Sequence, residues 1–208
     1  MELMRRGKEM VIRVEGRELM GTHVHGSEDA LADIACDYLR DDAPELNISM
    51  LIGGLGIGFT LAAALRRVGP ASRVVVAELM EAVGRWNRGP LGEAAGHPLE
   101  DERALLVIDD VANLIRQPVE PYDTILLDVD NGPHGITQES NNWLYSPMGL
   151  KASFDALRPG GVLGVWSAAD DRNFSRRLER AGFLVKVHQV RARGAKGGPK
   201  HTIWMARR

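Results

Sequence analysis

The sequence predicts an α/β fold: a mostly parallel, seven-stranded sheet that finishes in a C-terminal antiparallel hairpin and is preceded by a short N-terminal β-hairpin. Three observations predict it. From Ile48 onward, strand-like apolar runs alternate five times with amphipathic helical stretches, the order that gives a parallel sheet covered on both faces. The last two strand-like runs have no room between them for a helix, so they must pair antiparallel. The first core strand runs into a six-residue glycine-rich turn that opens a helix.

In chain order, Lys8 to Met20 forms two alternating runs around Glu15-Gly16, a hairpin signal. Ser27 then stands as an N-cap before Glu28 and Asp29. Leu31, Ile34, Ala35, Tyr38 and Leu39 recur at helical spacing behind it. Core strands are expected at Ile48 to Ile52, Arg73 to Ala77, Ala104 to Ile108, Tyr122 to Leu127 and Gly161 to Trp166. Helices are expected at Phe59 to Val68, Leu79 to Asn87, Val111 to Arg116, Pro147 to Arg158 and Asp170 to Ala181. Phe183 to Val190 and His201 to Met205 make the closing hairpin. The chain divides into an N-terminal β element over 1–26 and one Rossmann-like domain over 27–208.

Composition narrows the class. The chain has 208 residues, enough for one domain with a continuous core, and its 26 basic and 28 acidic residues cancel to a net charge of -2. No general attraction for nucleic acid or anionic lipid follows from that balance. Beyond Glu179, however, only basic charges remain, so RNA is a possible partner of the terminal hairpin; a solvated surface explains the same residues. A single cysteine, Cys36, allows no intrachain disulfide and no multi-cysteine metal site, and points to a reducing cytoplasm. No apolar run approaches the ~20 residues that span a bilayer, so no membrane association is expected.

The loop Gly53-Gly54-Leu55-Gly56-Ile57-Gly58 has the context of a nucleotide site. Glycines permit a tight turn and close backbone approach, and free N–H groups at the following helix start favour an electron-rich group. Glu78 lies 25 residues after Gly53, at the end of the next strand, where a carboxylate accepts both ribose hydroxyls of an adenosine. Asp109 and Asp110 end the third strand at the same edge; Asp110 suits the adenine amino group, and either acid also suits a helix cap. The cofactor-binding set is therefore Gly53, Gly54, Gly56, Gly58, Glu78, Asp109 and Asp110. A nicotinamide dinucleotide would use a similar loop, but the terminal antiparallel pair and the length of the glycine run argue against it.

The fourth strand ends Asp128-Val129-Asp130-Asn131-Gly132-Pro133. In extended chain, residues two apart share a face, so Asp128 and Asp130 point together into the crevice above the glycine loop. Two close carboxylates hold an ammonium group and accept a proton from an attacking amine, their repulsion raising one pKa. Asp130-Asn131-Gly132 is also ordinary turn chemistry. The acids resemble hard oxygen ligands too, but no histidine or further acid stands at ligand spacing, and no metal is expected. Further along, Tyr145 and Trp143 either stack on a substrate or pack their loop on the core.

The parallel units with a terminal antiparallel hairpin resemble class I methyltransferase-like domains. Within that layout, the glycine loop, Val76-Ala77-Glu78, Ile108-Asp109-Asp110 and Tyr122-Asp123-Thr124-Ile125-Leu126-Leu127-Asp128 together resemble spermidine synthases and their relatives over about Gly21 to Trp166. His25-Gly26-Ser27-Glu28 falls where that family carries a Tyr-His-Glu segment. The resemblance implies aminopropyl transfer from decarboxylated S-adenosylmethionine to a small amine, with Asp128 orienting and deprotonating the amine, Glu28 as a substrate contact, and a homodimer; Tyr145 is a substrate contact on the reading of its own stretch. The chain departs from the family at Gly56, where the loop usually carries an acid facing the aminopropyl group, and at Asp128-Val129-Asp130-Asn131-Gly132-Pro133, which replaces Asp-x-x-Asp-Pro. Transfer of a methyl group from S-adenosylmethionine to a small molecule or RNA fits the same donor site, as does a non-catalytic adenosyl-binding protein.

Overall fold

The computed structural model describes residues 1–7, 9–39, 46–129 and 143–208. The main sheet holds β4 (Ser49–Gly53), β5 (Arg73–Glu78), β6 (Ala104–Ile108), β7 (Tyr122–Leu127), β8 (Leu157–Ser167), β9 (Leu184–Arg191) and β10 (Lys200–Arg207). Its order is β6-β5-β4-β7-β8-β10-β9, with β10 antiparallel to both neighbours and the other pairings parallel. The predicted topology is the observed one. β4 lies inside the sheet between β5 and β7, and every residue of Ser-Met-Leu-Ile-Gly is buried and uncharged, as a strand covered on both faces requires.

Strand alternation separates two cores. Met50, Ile52, Val74, Val76 and Leu126 face α1 (Gly26–Leu39) and α2 (Phe59–Arg67). Leu51, Val75, Ala77, Ile125 and Leu127 face the opposite way, toward α4 (Val111–Arg116), α5 (Pro147–Ala156) and α6 (Arg172–Arg180). A short α3 (Glu81–Asn87) follows β5. No helix among the described residues is long and apolar enough to cross a membrane.

Three expectations are corrected in detail. The N-terminal element is a three-stranded antiparallel meander, β1 (Glu2–Arg6), β2 (Glu9–Val14) and β3 (Arg17–Gly21), rather than a hairpin. β1 carries Glu2, Arg5 and Arg6 on an exposed edge, so no apolar alternation marked it. The strand placed at Gly161 starts at Leu157, whose pairing with Tyr122 precedes a register shift at the Pro159-Gly160 turn. Ser27 is not the cap of α1: the helix starts at Gly26, and the Ser27 hydroxyl is used elsewhere.

The meander matters because of where it lies. Ile12 is fully buried against Ile57, Phe59 and Leu91, with Leu19 and Met20 beside it, so the N-terminal sheet sits over the glycine loop. Burial of these side chains, at roughly 25 cal/mol per Å² of apolar surface, fastens it there.

Candidate active site

The glycine loop turns as the sequence requires. Gly54, Gly56 and Gly58 have φ of 89°, 52° and 94°. Gly54 N–H donates to the Ala77 carbonyl at 2.8 Å, tying the loop to β5. Gly53 and Gly58 set the turn rather than line it: a Cβ on Gly53 would press on Val111 and Leu127, and Gly58 precedes α2 against Asn87 and Pro98. One Glu78 carboxylate oxygen accepts from Leu55 N–H at 3.0 Å and the other from Met80 N–H at 2.8 Å. Glu78 is thereby clamped across the loop it faces, and each oxygen keeps a lone pair for a further donor.

These groups border a cavity of about 280 Å³, whose walls include Gly54, Gly56, Glu78, Asp109, Asp110 and Asp128 and whose roof includes Ile12 and Met20. Asp110 caps α4 by accepting from Ala112 N–H at 2.9 Å, and it also borders the cavity. Asp109 accepts from Asp110 N–H and from the Asn113 amide. An adenosine fits this wall chemically: clamped carboxylate oxygens suit a sugar diol, and Val83 and Val111 supply apolar surface.

A second, smaller cavity of about 90 Å³ adjoins the first, and Asp128 and Gly56 border both. Glu28, Phe59, Thr60 and Trp166 complete its walls. Asp128 accepts from the Thr60 hydroxyl at 2.6 Å, and the Ser27 hydroxyl donates to Glu28 at 2.6 Å. Burial, then the neighbouring charge of Asp128, pushes the Glu28 carboxyl up to about 7. Burial likewise pushes Asp128 up to about 6, against the lowering effect of the Thr60 bond. The carboxylate partner of Asp128 in the structure is thus Glu28, contributed by α1. Asp130, the partner expected from the strand pattern, lies outside the described residues, as do His134, Asn141 and Asn142.

Raised carboxyl groups carry a stability consequence with a definite sign. The folded chain binds these protons more tightly than the unfolded chain, so stability falls as pH climbs from about 4, and the loss is complete above about 7. Glu28→Gln removes one such group. Its melting temperature should match the parent near pH 5 and exceed it at pH 8, by a margin on the order of 2 kcal/mol in unfolding free energy. Equal pH profiles for the two proteins would contradict the placement of Glu28.

Tyr145, expected as a substrate contact, borders neither cavity. It is buried with its ring edge-on to Phe174 at 5.7 Å, because Leu144 and Tyr145 are drawn into the core shared by α5 and α6. Trp143 lies beneath the Arg116 guanidinium, 3.8 Å from its ring centre. Trp166, at the end of the fifth expected core strand, is buried and faces the second cavity. Thr60 and Ser27 were missed as site residues, since single hydroxyls inside helical patterns carry no spacing signal. Among the described residues, no cluster of His, Cys, Asp or Glu is arranged to hold a metal ion.

The charge of the site is one-sided. Glu28, Glu78, Asp109, Asp110 and Asp128 border the two cavities, and no lysine, arginine or histidine side chain among the described residues does.

No family model matches the chain. Among solved structures, it is similar to spermidine synthase from Thermotoga maritima at 20% identity and a TM-score of 0.74, covering 95% of this chain and 65% of that one. A spermidine synthase in complex with the transition-state analogue AdoDATO gives 20% identity and a TM-score of 0.76, covering 95% and 66%. The O-methyltransferase from Bacillus cereus in complex with SAH gives 17% identity and a TM-score of 0.61, covering 88% and 80%. At these identities the likeness shows the fold, a Rossmann-like methyltransferase fold. The chain spans about two thirds of the length of the spermidine synthases it matches.

Proposed function

We infer that the chain is a spermidine synthase-like transferase that moves an aminopropyl group from decarboxylated S-adenosylmethionine to a small amine. The observation that carries this reading is the one-sided charge of the two cavities around the Asp128–Glu28 pair. A donor with an intact carboxylate would have to place that anion among five acids, with no cationic side chain among the described residues to meet it, whereas a decarboxylated donor and an ammonium acceptor bring only positive charge. The spermidine synthase bound to AdoDATO and the O-methyltransferase bound to SAH support an adenosyl ligand for this fold.

In this reading the glycine-loop amides and Glu78 hold the adenosine, and Asp110 meets the base. Asp128, at the junction of the cavities, draws the acceptor ammonium toward the donor's sulfonium carbon. Its carboxylate, with Glu28 beside it, takes the proton, because only a neutral amine attacks. The nitrogen forms its bond to carbon as the carbon–sulfur bond breaks, and methylthioadenosine leaves.

One observation favours methyl transfer from S-adenosylmethionine as the second reading: Gly56 supplies no loop acid for the aminopropyl ammonium. Thermal shift separates the two. The decarboxylated donor should raise the melting temperature more than S-adenosylmethionine at equal concentration, corresponding to at least about tenfold tighter binding. The reverse preference moves the assignment to methyl transfer, and no shift with either donor or with methylthioadenosine removes the adenosyl reading.

A further inference from the structure

The acid pair has a hydrogen-bonded connection that leads away from both cavities. Ser27 is fully buried in the first turn of α1, a place where a helix does not require a hydroxyl. Its oxygen donates to Glu28 at 2.6 Å and stands 2.9 Å from His201 Nδ1, joining the start of α1 to β10 across most of the chain. His201 is half-buried, and its ring meets Trp166 edge-on at 4.8 Å. Trp166 borders the same cavity as Glu28.

We propose that Ser27 and His201 form a proton exit for the Asp128–Glu28 pair, delivering to solvent the proton taken from the acceptor amine; this rests on the amine-transfer reading above. The step balances without any further reactant. Protonated Glu28 passes its proton to the Ser27 oxygen, the Ser27 hydroxyl proton passes to His201 Nδ1, and the proton on His201 Nε2 departs to water. Glu28 is left ionised, Ser27 neutral and His201 neutral in the Nδ1–H form, which exchanges back to the Nε2–H form with water at the half-buried ring before the next turnover.

With Glu28 ionised, Ser27 donates to it, which leaves the Ser27 oxygen to accept from His201 in the Nδ1–H form, the same contacts as that end state. A relay of this kind needs an imidazole that stays neutral while it passes a proton, and burial lowers His201 below its usual value. The charged groups facing Glu28 are Asp128 at the end of β7 and Asp29 on α1. Those set against His201 are Ser27 of α1, Trp166 of β8 and Val190 of β9, none of them charged. Ionisation of Glu28 is therefore the local event that sets which way the Ser27 hydroxyl points.

Nitrogen NMR of the histidine rings tests the connection without turnover. The chain has 6 histidines, so the His201 signals are identified by their loss in His201→Gln. In the parent protein, raising the pH through the titration of Glu28 should convert His201 from the Nε2–H to the Nδ1–H form, and the conversion should vanish in Ser27→Ala and in Glu28→Gln. Signals that ignore the Glu28 titration, or that respond in Ser27→Ala as in the parent, overturn the relay.

Turnover supplies the second readout. Ser27→Ala should slow aminopropyl transfer about tenfold or more with methylthioadenosine affinity unchanged, and His201→Ala should recover rate when imidazole is added. Full activity in both variants, or a loss that imidazole does not restore, also overturns it. Absence of transfer by the parent protein to any amine would instead defeat the functional reading, while the NMR response still decides the relay.

Discussion

Asp128→Asn should lower the rate of group transfer by about a thousandfold while leaving the affinity for methylthioadenosine within a few-fold of the parent. The substitution is nearly isosteric, and the amide oxygen still accepts from the Thr60 hydroxyl, so the packing around β7 is preserved. What disappears is the one carboxylate among the described residues that borders both cavities, the place from which the proposed donor and acceptor would both be reached. Glu28 remains, but its carboxyl borders only the second cavity. Single-turnover assays with the decarboxylated donor, run beside calorimetric binding of methylthioadenosine, separate the two quantities. Retained transfer removes Asp128 from its role; lost binding makes it a donor contact instead.

The largest structural effect is expected from Gly54→Ala. Gly54 has φ of 89°, and a Cβ there would lie inside van der Waals contact of the Asp128 carbonyl oxygen. The oxygen is backbone and a Cβ is fixed by the backbone that bears it, so no rotamer change relieves the overlap, and the ends of β4 and β7 would have to part. Asp128 N–H donates to the Gly53 carbonyl at 2.9 Å across that gap, so the bond that positions Asp128 is strained too. Unfolding free energy should fall by about 2–4 kcal/mol, and donor affinity should drop by about a hundredfold or more. Gly16→Ala is the control. Gly16 also has a positive φ, 78°, but open space around it, so its cost should stay near 1 kcal/mol with donor binding intact. Equal effects for the two substitutions would show that backbone conformation alone, not the approach of β7, fixes the loop.

The fold and the glycine-loop geometry of the candidate site were legible because they are written in local pattern. Doubly buried strands such as Ser-Met-Leu-Ile-Gly leave continuous apolar runs, and the glycine spacing announces positive φ values. The acid after β5 could be placed because strand ends share one edge of the sheet. The second cavity was less legible, since its members meet only in three dimensions. Glu28 lies 100 residues before Asp128 on a helix that packs across the sheet, and no periodicity links the two. Family resemblance alone named it as a substrate contact, and only the structure pairs it with Asp128. Tyr145 misled for the converse reason. An aromatic in a polar stretch looks available to a ligand, while its burial against Phe174 depends on where α6 comes to rest.

Met20 gives the meander a hold on which side chains position 56 tolerates. Its sulfur lies 3.0 Å from where a Cβ on Gly56 would stand, so the thioether occupies room that a longer residue in the loop would claim. At φ 52° a side chain at 56 is strained by the backbone itself, aspartate less than most, and it also needs the flexible end of Met20 on β3 to swing aside. Positions 20 and 56 are therefore neighbours across the meander and the loop, and a change at 56 is felt first by the thioether of Met20.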